Sequence, residues 1–220
     1  LLGELTAIYA KPNTGKTLLI LRLLIDQIIA AVINAEDVFY LNCDDSYRGL
    51  VDKLELAEKY GFNMLAPNQN GFEIKDFIGY MQMMIDQDSA KGKIIVLDTL
   101  KKFVDLMDKR SASDFMNMAR AFSTSGGSMI FLAHTNKNRD SEGKIVAGGT
   151  SDIGDDADCV YMLDELNSSG GNKSVLFENT KRRGDVALEV GYIYSIAQKQ
   201  SYEKLINSVS LLNEDEKQSC

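Results

Sequence analysis

Short apolar runs alternate along the chain with longer stretches in which apolar residues recur every three or four positions. Four runs, LTAIYA (5–10), VFYLNC (38–43), KIIVLD (93–98) and SMIFLAH (128–134), have the length and the β-branched and aromatic content of strands. Between them, 15–33, 47–60, 73–90 and 112–125 carry helical spacing, with Asp45 or Ser46 placed to cap the second. Strands alternating with helices predict a parallel sheet covered on both faces, which takes ligands at the carboxyl ends of its strands. After residue 136 the pattern changes. The segment NKNRDSEGKIVAGGTSDIGDD is polar, charged and glycine-rich, and reads as a mobile loop. CVYML, KSVLFENT and VALEVGYIYSI then read as three more strands, the first two joined by a flexible LNSSGGNKS connection and the last two by KRRGD. From residue 201, YEKLINSVSLL suggests a turn or two of amphipathic helix before a frayed NEDEKQSC end. The expected organisation is one core over 1–200 and a tail over 201–220. The expected fold is α/β, with a central, mainly parallel sheet flanked by helices and a C-terminal antiparallel hairpin.

Composition narrows the picture only a little. The 220 residues suffice for one well-filled core, and 45% apolar with 25% charged residues is ordinary for a globular domain. Cys43, Cys159 and Cys220 are odd in number and lack metal-ligand spacing, which fits free thiols in a reducing compartment. No apolar run has the length of a membrane span and no signal peptide opens the chain, so the expected location is cytoplasmic, with no membrane partner. The opening LLGELTAIYA lacks a methionine and enters a strand almost at once, as expected of a fragment. A net charge of −8 argues against a broad basic surface for duplex nucleic acid, but leaves room for a narrow basic channel.

The chemistry concentrates in AIYAKPNTGKTLLIL (7–21), which runs from the first strand into the first helix. Lys11, Pro12, Asn13, Thr14, Gly15, Lys16, Thr17 and Leu18 form the expected phosphate-binding loop. Backbone N–H groups and the positive end of a helix favour an anion there, Gly15 permits close approach, and Lys16 neutralises β- and γ-phosphate charge. The Thr17 hydroxyl suits Mg²⁺, and Asp98, at the end of KIIVLDTL, supplies the metal carboxylate. Ala10 occupies the position of the pattern's first glycine, where the smallest side chain is the least disruptive replacement. Asp44 and Asp45 follow the second strand, and either can polarise a water toward the γ-phosphate. His134 ends another strand at the same edge.

These segments resemble the RecA-like ATPases, and within them the RepA and DnaB type of hexameric replicative helicase. IVLDTLKKF followed by MIFLAHTNK is similar to that family's Walker B and sensor strands, GGTSDIGDDADCVYMLD to the segment after its DNA-facing loop, and TKRRGD to the K-x-R end of a hairpin that reaches into a neighbour's site. The resemblance extends over about 5–195 and implies a RecA-like core. It implies ATP and Mg²⁺ as cofactors, a ring-forming homo-hexamer, and single-stranded DNA as partner of a plasmid, phage or mobile-element helicase. Asp44 falls on the family's catalytic glutamate, His134 on its γ-phosphate sensor, and Lys181 and Arg183 on its trans-acting lysine and arginine finger, with Arg182 as the alternative finger. Lys137, Arg139 and Lys144 fall in the loop that tracks DNA. The same core also fits a recombinase filament, or a KaiC-like signalling ATPase that touches no DNA.

Overall fold

The computed structural model describes residues 2–69 and 71–213; Asn70 and the terminal segment with Cys220 lie outside the described residues. The first half alternates as the apolar pattern requires: β1 (Leu5–Ala10), α1 (Lys16–Ile29), β2 (Val38–Asn42), α2 (Tyr47–Tyr60), β3 (Asn63–Leu65), α3 (Phe77–Asp86), β4 (Ile94–Asp98), α4 (Lys109–Thr124) and β5 (Ser128–His134). Then follow α5 (Asp152–Asp156), β6 (Cys159–Ser169), β7 (Asn172–Lys181), β8 (Glu189–Ser195), α6 (Tyr202–Asn207) and β9 (Ser210–Leu211). The nine described strands form one sheet in the order β3-β2-β4-β5-β1-β6-β7-β8-β9. It is parallel from β3 through β6 and antiparallel from β6 to β9.

Strand β1 lies between β5 and β6 with all six residues buried, so its side chains serve two cores by turns. Ile8 and Ala10 join α1, α2 and α6 on one face, whereas Leu5, Ala7 and Tyr9 join α3 and α4 on the other. Helix α1 buries Leu18, Leu19, Ile20, Leu21, Leu24 and Ile25, which explains its unusually apolar sequence. The 202–211 segment belongs to the same body: α6 packs on α1 and α2, and β9 pairs with β8.

Several boundaries differ from the sequence reading for local reasons. Helix α4 starts at Lys109 rather than 112 because the Asp108 carboxylate accepts the Arg110 N–H and caps it. The 73–90 stretch divides into a 3₁₀ turn at 74–76 and the shorter α3. Helix α2 follows Ser46, whose side chain makes no capping bond, while Asp45 is engaged elsewhere. The connection expected to be flexible between β6 and β7 is strand up to a two-residue turn, Gly170–Gly171, both at positive φ (59° and 78°), as a tight hairpin demands. β8 occupies only the second part of VALEVGYIYSI. β3 and β9 are too short to leave a periodic signal.

Candidate functional site

Parallel strands bring their carboxyl ends to one edge, and here that edge gathers polar residues from β2, β4 and β5 beside the end of β1. Ala10 is opposite His134 in the β1–β5 register, and Asn42 is opposite Asp98 in the β2–β4 register. Together with the β1–α1 loop they bound a cleft of about 320 Å³, lined by that loop, the end of β2 and Tyr202 of α6. A larger crevice of about 530 Å³ lies under α1 and the 186–190 segment, but its walls are mainly apolar and none of these groups opens into it. The polar and charged groups converge on the smaller cleft.

Lys16 opens α1 and is only 7% exposed, yet its ammonium makes no ion pair among the described residues. Burial pulls its pKa down; the Asp98 and Asp44 carboxylates pull the other way, and Lys101 adds to the lowering. The first turn of α1 holds no acidic side chain, and no side chain caps its N–H groups. A buried cation beside helix N–H groups that no side chain caps is an arrangement that favours a negative charge.

Asp98 sits beside it under tight control. Its Oδ2 accepts from the Thr17 hydroxyl and from the Tyr40 hydroxyl, each at 2.7 Å. Tyr40 is fully buried, and burial together with Asp98 raises its pKa, so the phenol stays protonated and donates. Sequence reasoning missed Tyr40; its signal is a hydroxyl at a strand position whose alternation demands burial. The donors here are a carboxylate, a hydroxyl and the Asn42 amide oxygen, which is buried and has no hydrogen-bond partner among the described residues. These are hard oxygen ligands, the set Mg²⁺ accepts when substrate phosphates and water complete its shell. Among the described residues no cluster of three His, Cys, Asp or Glu forms a protein-only metal cage.

The two aspartates after β2 part company. Asp45 Oδ2 accepts from Asn42 Nδ2 at 2.6 Å and from the ammonium of Lys53, which is 5% exposed and lies 5.2 Å over the Tyr202 ring. Asp45 thus neutralises a buried lysine. Asp44 stands at the mouth of the cleft, its oxygens 3.9 Å from His134 Nε2 and 3.9 and 4.0 Å from Lys101 and Lys102. Burial lowers the His134 pKa, Lys16 and Lys101 lower it further, and Asp44 offsets part of this, so the ring is neutral at neutral pH. Among the described residues His134 Nδ1 is a second buried atom without a well-formed hydrogen bond, although the Ala10 backbone is near enough to favour the protonated ring. Lys53, Lys101, Lys102 and Tyr202 were not anticipated; only the Lys-Lys pair that follows the β4 aspartate after Thr99 and Leu100 left a trace in the sequence.

The remaining candidates lie elsewhere. Lys181 ends β7 and donates to the Gly154 and Asp155 carbonyls, while Arg183 pairs with Asp158 at 2.9 Å. Asp158 also accepts the Leu5 N–H, so this group marks the amino end of β1. Six residues of strand separate it from the cleft by roughly 17 Å. Among the described residues Arg182 donates to the Val186 carbonyl alone. Lys137, Arg139 and Lys144 lie on the loop that leaves β5 past His134. Arg139 is bound by Asp164 and the Gly143 carbonyl, Lys144 is 3.3 Å from Glu142, and Lys137 makes no ion pair among the described residues. The base of that loop presses on β5: a Cβ on Gly148 would stand 2.5 Å from the His134 carbonyl oxygen.

No helix among the described residues is long and apolar enough to cross a membrane. No known family model matches the chain, and a search of curated proteins returned no match.

Proposed function

We propose that the cleft is the phosphate site of a Mg²⁺-dependent, RecA-like ATPase, and that the 11–18 segment is its phosphate-binding loop. The observation that carries this reading is Lys16, a buried ammonium without an ion-pair partner among the described residues, at an uncapped helix start. Triphosphate oxygens would supply the missing negative charge. Thr17 and Asp98 would hold the metal, with Asn42 within the same donor set. When bound, the metal would supply neutralisation of phosphate charge. Asp44, the carboxylate not committed to a buried cation, is the residue we assign to orienting the attacking water and drawing off its proton. His134, held neutral, would sense the γ-phosphate through Nε2, the ring nitrogen on the Asp44 side.

The wider reading is a ring-forming helicase that moves on single-stranded DNA. Two features support it. Lys181 and Arg183 are far from their own chain's cleft, as groups serving an adjoining copy must be, and the Lys137 loop is packed on the strand that carries His134. A signalling ATPase without DNA keeps one specific observation in its favour, since Arg139 and Lys144 already face acidic partners. Steady-state ATP hydrolysis with and without single-stranded DNA tests the choice. The helicase reading expects Mg²⁺-dependent turnover that rises with added strand; turnover indifferent to DNA at low salt favours the signalling reading, and no turnover at all removes both.

A further inference from the structure

The β1–α1 loop contains two residues in the left-handed region, Asn13 (φ 64°) and Gly15 (φ 86°). Backbone of this kind persists where surroundings hold it, and two contacts from the antiparallel half of the sheet do so. Lys173 Nζ donates to the Asn13 carbonyl at 3.1 Å and is itself paired with Glu165 at 2.8 Å. Although two residues from the hairpin turn, its side chain is only 15% exposed. Tyr194, 5% exposed, lies against Gly15 so closely that a Cβ there would stand 2.6 Å from the phenol oxygen. Lys173 and Tyr194 are directly opposite in the β7–β8 register, so they form one cross-strand pair under the loop. Neither lines the cleft. They act on it through the loop backbone.

Strand β7 also has a far end. Lys173, Val175, Phe177 and Asn179 alternate onto one face, with Val175 and Phe177 buried in the core shared with α1, and a bulge at Thr180 then turns Lys181 to the other face. The same rigid strand therefore meets this chain's own loop at Lys173 and carries Lys181, next to Arg183, about 26 Å away.

We propose that Lys173, backed by Tyr194, is a positioning residue for the 11–15 loop. It holds the Asn13 carbonyl oxygen turned from the anion's place, and it ties the loop to the strand that bears the Lys181–Arg183 turn. The proposal rests on the phosphate-loop reading of the same cleft. The test compares wild type, Lys173→Met and Lys173→Arg in three measurements: amide hydrogen exchange over residues 11–17 without nucleotide, equilibrium binding of Mg-ADP, and melting temperature. Losing a charge-assisted bond to the loop should speed exchange at those amides and weaken Mg-ADP binding by roughly tenfold. Melting should change by only a few degrees, and Lys173→Arg should restore most of both effects. Wild-type binding with unchanged loop exchange and affinity in Lys173→Met overturns the proposal. So does a general rise in exchange across the sheet without selectivity for the loop. If wild type and Lys16→Ala alike fail to bind Mg-ADP, the phosphate-loop reading is what fails, and loop exchange in the absence of nucleotide still decides whether Lys173 holds the loop.

Discussion

Two adjacent aspartates do different work because one has a buried lysine to neutralise. Asp45 is spent on Lys53 and Asn42, whereas Asp44 faces His134 and two exposed lysines at the cleft mouth. Asp44→Asn should therefore preserve nucleotide affinity and lower turnover by roughly a hundredfold or more, the size of a lost base. Asp45→Asn should instead cost roughly 1–3 kcal/mol of stability in denaturant melts, since it leaves the Lys53 charge poorly matched; the reverse pattern would exchange the two assignments. In the sequence the pair is simply Asp-Asp, and nothing in its spacing reveals the distant lysine that separates the roles. Histidine offers a check by pH. With its folded pKa lowered below the ordinary 6.5, His134 binds its proton more readily in the unfolded chain. It thus contributes stability that is present above pH 6.5 and is lost as pH falls from there toward the folded value. His134→Gln should flatten the stability profile over that interval and leave it parallel to wild type at higher pH.

At the level of elements, an ion-paired post fixes the far end of the parallel sheet. Asp158, 3% exposed, accepts the Leu5 N–H and pairs with Arg120 of α4 at 2.8 Å and with Arg183 at 2.9 Å. Burial alone would raise its pKa, but the Arg120 guanidinium, the Leu5 N–H and Arg183 outweigh it and hold the carboxyl below the usual range. A lowered carboxyl pKa contributes stability above about pH 4 that is lost as pH falls through the folded value. Asp158→Asn should destabilise by roughly 1–3 kcal/mol at neutral pH, with the difference from wild type vanishing in acid, as read from urea midpoints across pH. The strands and helices of the first half were legible because each had to bury a periodic face. The four strands ending in Ala10, Asn42, Asp98 and His134 could be assigned to one edge from that alternation alone. The β6–β7 hairpin was less legible, because Ser168, Ser169, Gly170 and Gly171 read as a loop although only the glycine pair turns. Tyr40 and Tyr202 could not be read as parts of the site, since only the folded sheet and α6 bring them beside Asp98 and Lys53.

For the whole molecule, the proposed ring would make assembly part of the chemistry, because the Lys181–Arg183 turn stands at the far end of β1 from its own cleft. Lys16→Ala should spoil its own site while still offering an arginine, and Arg183→Ala should do the reverse. Each alone should be nearly inactive. In an equimolar random mixture of the two, about a quarter of head-to-tail interfaces would join an intact loop to an intact finger, so activity should return in a ring that does not need every site to fire. Full activity of Arg183→Ala by itself, and of Lys181→Ala and Arg182→Ala, would reduce the turn to its internal role on Asp158 and α5.

All of this depends on whether Lys16 awaits a phosphate. Equilibrium binding of Mg-ATP to the wild-type chain and to Lys16→Ala, followed by phosphate release from each, measures that directly. The account predicts saturable, Mg²⁺-dependent binding and turnover by the wild type, and loss of turnover with most of the affinity in a Lys16→Ala protein that melts normally. Equal binding and equal phosphate release by the two proteins would contradict it.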